Sequence, residues 1–135
     1  MQVSEVMHKG VISVNIDDSI KKVAQLMRSE DIGSMPVLED NQAVGFVTDR
    51  DIVITCVAEG HSPNDPVSHA MSDEVISIDQ EQNVEDATRL MQENQVSRIL
   101  VVDSEKRPVG MVSLRDFSDV IDNDHNVETF SKIKE

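Results

Sequence analysis

The chain has 135 residues, 39% hydrophobic and 28% charged, which fits a globular protein of one ordinary domain or of two very small ones that need each other. Aromatic residues make up 2%, with no Trp and no Tyr, so the core is aliphatic, with seven Met as adaptable filling. A formal charge of -14 without a run of Lys and Arg excludes a nucleic-acid surface or an anionic membrane as partner, because both repel such a chain.

The opening residues Met1-Gln2-Val3-Ser4-Glu5 lack the basic start and apolar stretch of a secretory leader. No apolar run approaches the ~20 residues that cross a bilayer. The expectation is a cytoplasmic protein with no membrane insertion.

In chain order, a helical turn over Ser4 to Met7 leads to a β-branched strand at Val11 to Val14. Ile20, Val23, Ala24 and Met27 follow at helical spacing, with Lys21, Lys22, Gln25 and Arg28 on the wet side. Two strands come next, near Ser34 to Leu38 and Ala43 to Val47, joined by the turn Glu39-Asp40-Asn41-Gln42. A second helix opens at Thr48 or Asp49 and stops at Gly60. Its residues are apolar almost all round, so it is expected to bury more than one side, which argues for a homodimer. Cys56 lies within it and reads as a buried, inert thiol; with one cysteine there is no internal disulfide. The segment His61 to Pro66 breaks the helix with two prolines.

The pattern then repeats. Val3-Ser4-Glu5-Val6-Met7 returns as Val67-Ser68-His69-Ala70-Met71, an offset of 64 residues. Val11 to Val14 returns as Val75 to Ile78, and the helical positions return as Val84, Ala87, Thr88 and Met91. After one inserted turn residue the offset is 65, and Val44-Gly45-Phe46-Val47-Thr48-Asp49-Arg50-Asp51 returns as Val109-Gly110-Met111-Val112-Ser113-Leu114-Arg115-Asp116. The fold class is therefore α+β, built as tandem β-α-β-β-α repeats. The expected division is repeat 1 over 1–60, a linker over 61–66, repeat 2 over 67–121 and a polar tail over 122–135.

The chemistry sits in the repeated strand-to-helix junction, where a hydroxyl residue is followed three positions later by Asp. Two readings stay open. A hydroxyl and a helix N-terminus attract oxygen acceptors and negative charge, an Asp accepts from both hydroxyls of a ribose, and Arg suits phosphate. The same spacing also serves as a capping box that only satisfies the helix end. Asp is shorter than the Glu or Gln usual in that box.

With these junctions, Ile32-Gly33-Ser34-Met35-Pro36-Val37-Leu38 and Val96-Ser97-Arg98-Ile99-Leu100-Val101-Val102-Asp103 make residues 3 to 121 resemble a CBS-domain pair, the tandem module named after cystathionine β-synthase. The resemblance implies a pseudo-two-fold pair (a Bateman module) that dimerises and binds AMP, ADP, ATP or S-adenosylmethionine in clefts shared by the repeats. One cleft would use Asp116 for ribose, Ser113 beside it, Arg98 toward phosphate, and Val23 and Ile32 against the base. The other would use Asp51 and Thr48, with Ala87 and Val96 around the base. Arg50 and Arg115 would face phosphate or solvent. Arg98 has Ser34 as its counterpart, so the Arg98 cleft is expected to hold phosphate more tightly. Leu100 stands where the family usually carries Pro, as at Pro36.

The function expected is regulatory adenosine-nucleotide sensing for an unknown regulated protein. The alternative is a ligand-independent dimerisation or scaffold module. No catalytic set converges, so no enzyme is expected and no cofactor is required. His8, His61, His69 and His125 read as scattered, without metal-ligand spacing. Asp119, Asp122 and Asp124 read as a solvated acidic end and not a calcium loop.

Overall fold

A computed structural model describes residues 1–117. The expected tail at 122–135, with His125 and the aspartates at 119, 122 and 124, lies outside the described residues.

The chain divides into two compact units. Among the described residues, one consists of Met1–Val11 and 76–117; the other is Ile12–Val75. The sequence repeats at 1–60 and 67–121 are a different division, since each unit takes its first segment from the other repeat. In the first unit, β1 (His8–Lys9) pairs antiparallel with β7 (Pro108–Ser113), giving a four-stranded sheet β1-β7-β6-β5 with β6 (Arg98–Val102) and β5 (Ser77–Asp79). In the second unit, β2 (Val14–Asn15), β3 (Ser34–Glu39) and β4 (Gln42–Thr48) form a three-stranded sheet in the order β2-β3-β4. Ser72 makes a single bridge to Phe46, the place that His8 takes on Met111 in the first unit.

This crossing explains the glycine of each repeated junction. A Cβ on Gly110 would stand 2.6 Å from the His8 carbonyl oxygen, and one on Gly45 would stand 2.7 Å from that of Ser72. Val3 and Val67, in the short 3-10 turns Val3–Glu5 and Val67–His69, are fully buried in the two cores. The turns begin one residue earlier than the sequence suggested. The strands at Val11 and Val75 also start late, at Val14 and Ser77, where parallel pairing to β3 and β6 begins.

Each unit carries an amphipathic helix, α1 (Ile20–Glu30) and α3 (Val84–Asn94). Ser19 and Asn83 cap them by accepting from the backbone N–H of Lys22 (3.1 Å) and Asp86 (2.9 Å). Val84, Ala87, Thr88 and Met91 are buried as expected; in α1 the buried face is Ile20, Val23 and Met27, while Ala24 is exposed.

The hairpins account for the offset change. Asp40 and Asn41 both adopt left-handed φ (52° and 66°) in a two-residue turn between β3 and β4. In the other unit, the Asp103 N–H donates to the Arg107 carbonyl at 2.9 Å and Lys106 takes φ 67°, a three-residue loop with one residue more.

The helix after β4 has its expected extent but not one winding. α2 (Asp49–Ile52) continues as a π-helix over Val53–Ala58. Glu59 N–H reaches back to Ile54 O at 2.9 Å. Ile52, Val53, Ile54 and Thr55 are all β-branched and crowd a regular α-turn. Ile52 and Cys56 pack on the core of their unit, the thiol being half-buried, whereas Val53 (56%), Ile54 (41%) and Val57 (78%) are too exposed to belong to it.

Candidate functional site

The two strand-to-helix junctions fold alike, each inside its own unit. In the second unit Ser34 pairs with Thr48 across β3 and β4; in the first, Arg98 pairs with Ser113 across β6 and β7. The Asp49 N–H is tied to Gly33 O and the Leu114 N–H to Ser97 O, both at 2.9 Å. Each hydroxyl residue therefore ends a strand beside the residue where the sequence set Ser34 against Arg98.

The capping contacts are complete at one junction and half-formed at the other. Thr48 Oγ1 accepts from Asp51 N–H at 3.1 Å, and Asp51 Oδ2 accepts from Thr48 N–H at 2.9 Å, a complete reciprocal box despite the short side chain. At the other end, Asp116 Oδ2 accepts from Ser113 N–H at 2.8 Å and from Ser113 Oγ at 3.2 Å. Capping does not exhaust these groups, because an ionised carboxylate offers about four lone-pair sites. Both aspartates are half-buried, Thr48 and Ser113 likewise.

A neighbour the sequence did not single out touches one of them. His8 Nε2 lies 2.7 Å from Asp116 Oδ1, with 77% of its own side chain exposed against 11% for Asp116. The β1–β7 pairing puts it there, through His8 opposite Met111. Its counterpart by the 64-residue offset is Ser72, so Asp51 has no such imidazole from that position. Only the duplication, read as a swap of opening segments, could have signalled this contact.

The cations divide. Among the described residues, no ion pair reaches the exposed Arg98 guanidinium. Arg50 is exposed at the start of α2, and Arg115 is exposed with its interactions already engaged. The apolar candidates divide too. Val23 and Ala87 are fully buried in the cores of their units, while Ile32 and Val96 are half-buried just before β3 and β6. Leu100, at the position of Pro36, is fully buried.

The reading of the histidines as scattered is corrected. His61, Asp65 and His69 come together at the end of the second unit, with one potential ligand atom of each within 4.8 Å of the others. On a helix an i, i+4 pair meets but residues eight apart lie about 12 Å apart, so it is the proline-bounded turn that brings all three together.

No helix among the described residues is long and apolar enough to cross a membrane. The family model for the CBS domain matches residues 3–57 and 67–123. The CBS domain-containing protein YhcV of Bacillus subtilis (strain 168) is 35% identical over 86% of this chain and 82% of its own length. The crystal structure of Hypoxic Response Protein I with two coordinated zinc ions is 31% identical, covering 89% of this chain and 98% of that one, at a TM-score of 0.78. The CBS domain pair of protein MJ0100, in complex with 5-methylthioadenosine and S-adenosyl-L-methionine, shares the fold at 23% identity over 92% of this chain and 98% of that one, with a TM-score of 0.72. CBSX2 in complex with AMP does so at 21% identity over 94% and 98%, with a TM-score of 0.71.

Proposed function

The chain belongs to the CBS domain family, and we propose that it is a regulatory module that binds an adenosine-bearing ligand, AMP, ADP, ATP or S-adenosylmethionine, and is not an enzyme. The observation that carries this is the unit holding Arg98: a guanidinium without an ion pair among the described residues, strand-paired to Ser113, three residues before the half-buried Asp116. A phosphate would satisfy the guanidinium and a ribose diol the carboxylate. The fold accommodates adenosyl ligands in the MJ0100 and CBSX2 complexes, which supports the reading at the level of fold. In the other unit Thr48, Arg50 and Asp51 hold sugar and phosphate without an equivalent of Arg98, so that half binds more weakly. Ile32 and Val96 offer surface to a base, with Val23 and Ala87 behind them, and Arg115 stands beside Asp116. The ligand acts by preferring one state of the assembly to another. The module would work in the cytoplasm, where such nucleotides are pooled.

Exposed Val53, Ile54 and Val57 support a homodimer, since three neighbouring β-branched residues in water cost what a partner copy would recover. They also support the second reading, a ligand-independent scaffold whose hydroxyl–Asp pairs are caps alone. Thermal melting with each of the four compounds separates the readings. Ligand at 100 times its Kd adds about 2.7 kcal/mol of stability. An unmoved melting temperature with all four favours the scaffold.

A further inference from the structure

We propose that His61, Asp65 and His69 form a binding site for a zinc-class divalent ion, separate from the adenosine-ligand residues and complete within one unit. His61 Nδ1 stands 3.5 Å from Asp65 Oδ2, and His69 Nδ1 stands 3.7 Å from the same oxygen. Both gaps are long for hydrogen bonds, whose usual range ends near ~3.2 Å. They are close to the roughly 3.4 Å that separates ligands of a tetrahedral ion bound at about 2.0–2.1 Å. The imidazole rings stand edge to face with centroids 5.7 Å apart.

The backbone holds this arrangement in advance. Pro63 and Pro66 fix two φ angles of the turn. The Ile20 N–H donates to Asp65 O at 2.9 Å and the Lys21 N–H to Pro63 O at 2.8 Å, which fastens the turn to the start of α1. The His61 N–H donates to Thr55 O and the His69 N–H to Pro66 O, both at 3.0 Å. The Ser62 N–H donates to Asp65 Oδ2 at 3.2 Å, the kind of outer bond that orients a metal-ligating carboxylate. The main chain of the three residues is therefore held before an ion arrives, and binding has only side-chain rotation left to fix.

The donor set selects the metal. Two imidazoles and one carboxylate suit zinc, cobalt, nickel or copper, whereas magnesium and calcium require oxygen ligands. The three side chains are 34% to 48% exposed, so water reaches the fourth position and an ion can enter. A chain of net charge -14 draws cations toward it. Such an ion would tie the end of the π-helix segment to the turn at Val67–His69.

The test is calorimetric titration of the tag-free full chain with zinc chloride, with magnesium chloride in parallel. The expected result is one zinc per chain, at micromolar Kd or tighter, and no magnesium uptake. His61→Gln and His69→Gln should each weaken zinc at least tenfold, Asp65→Asn likewise, while Asp17→Asn, an exposed acid of the same unit, leaves it unchanged. Circular dichroism checks that each variant is folded, and cobalt absorption in wild type reports tetrahedral imidazole ligation. Absence of zinc uptake at 100 µM, or uptake indifferent to both histidine substitutions, overturns the proposal and leaves a bare polar cluster.

Discussion

The two units are built from the same repeat, yet their strand-to-helix junctions are equipped differently. In the second unit Thr48 and Asp51 close a reciprocal cap, and the neighbouring strand offers Ser34. In the first, Ser113 and Asp116 form the corresponding contact, the neighbouring strand offers Arg98, and His8 adds an imidazole at 2.7 Å. Duplication supplied the frame, while the charged groups around it diverged. A junction with a closed cap and Ser34 in place of an arginine on the neighbouring strand serves its helix first. A junction whose guanidinium has no ion pair among the described residues has a group that can serve something outside the chain.

The largest expected effects come from the glycines where the exchanged segments cross. Gly110→Ala drives a methyl into the His8 carbonyl oxygen and Met7 Sδ, and Gly45→Ala drives one into Met71 Sδ and the Ser72 carbonyl oxygen. Each should cost about 1–3 kcal/mol in chemical denaturation. The Gly110 variant should suffer more, because β1 is held by two residue pairs and Ser72 by a single bridge. Equal losses would mean that both crossings yield alike.

Next come the caps. Thr48→Ala removes a bond from Asp51 N–H and should cost about 1 kcal/mol, again read by denaturation. Ser113→Ala leaves the bond from Ser113 N–H to Asp116 intact and should cost less. A reversal of that order would show that the first unit depends more on its cap than the geometry indicates.

His8→Ala should act on ligand and hardly on stability, because the imidazole is mostly exposed. A ribose approaching Asp116 has to displace His8, so the variant should bind adenine nucleotide severalfold more tightly in calorimetry. Weaker binding would make His8 a ligand contact instead of a competitor.

The smallest effect separates the hairpins. Asp103 has its carboxyl held below the ordinary carboxylate range, first by the Arg107 backbone N–H; burial opposes this as the next effect in size, and the Glu105 N–H and the Arg107 guanidinium add smaller lowering effects. A depressed value means that this support is present above the unfolded carboxylate range and is lost as pH falls through the lowered one. Protection factors of the amides at 104–107, which discount the intrinsic slowing of exchange in acid, should fall on acidification, while those of the turn at Asp40–Asn41 should respond less. Asp103→Asn should flatten the difference.

Much of this was legible in the sequence. The duplication, the helix spacing, the hairpins and the one-residue insertion all follow from local periodicity and turn chemistry. Asp116 stood out because it repeats Asp51 in the duplicated junction, whereas Arg98, whose counterpart is Ser34, was singled out by the resemblance to the CBS family and not by the repeat. The exchange of opening segments was not, since β1 pairs with a strand about a hundred residues away in sequence and nothing local marks it. The contact of His8 with Asp116 was hidden for that reason. The convergence of His61, Asp65 and His69 depends on backbone bonds of Ile20 and Lys21, which no linear spacing reveals. The π-winding of Val53–Ala58 was masked because an apolar stretch shows no preferred period.

The most direct test of the regulatory reading is titration calorimetry of AMP, ADP, ATP and S-adenosylmethionine into the wild type, Arg98→Ala and Ser34→Arg. A hydrogen bond to a charged group is worth about 1.5–3 kcal/mol, so Arg98→Ala should weaken the phosphate-bearing ligand roughly tenfold or more, and Ser34→Arg should strengthen the second, weaker binding event. Heat of binding from none of the four, or an affinity that ignores the loss of Arg98, would contradict the account.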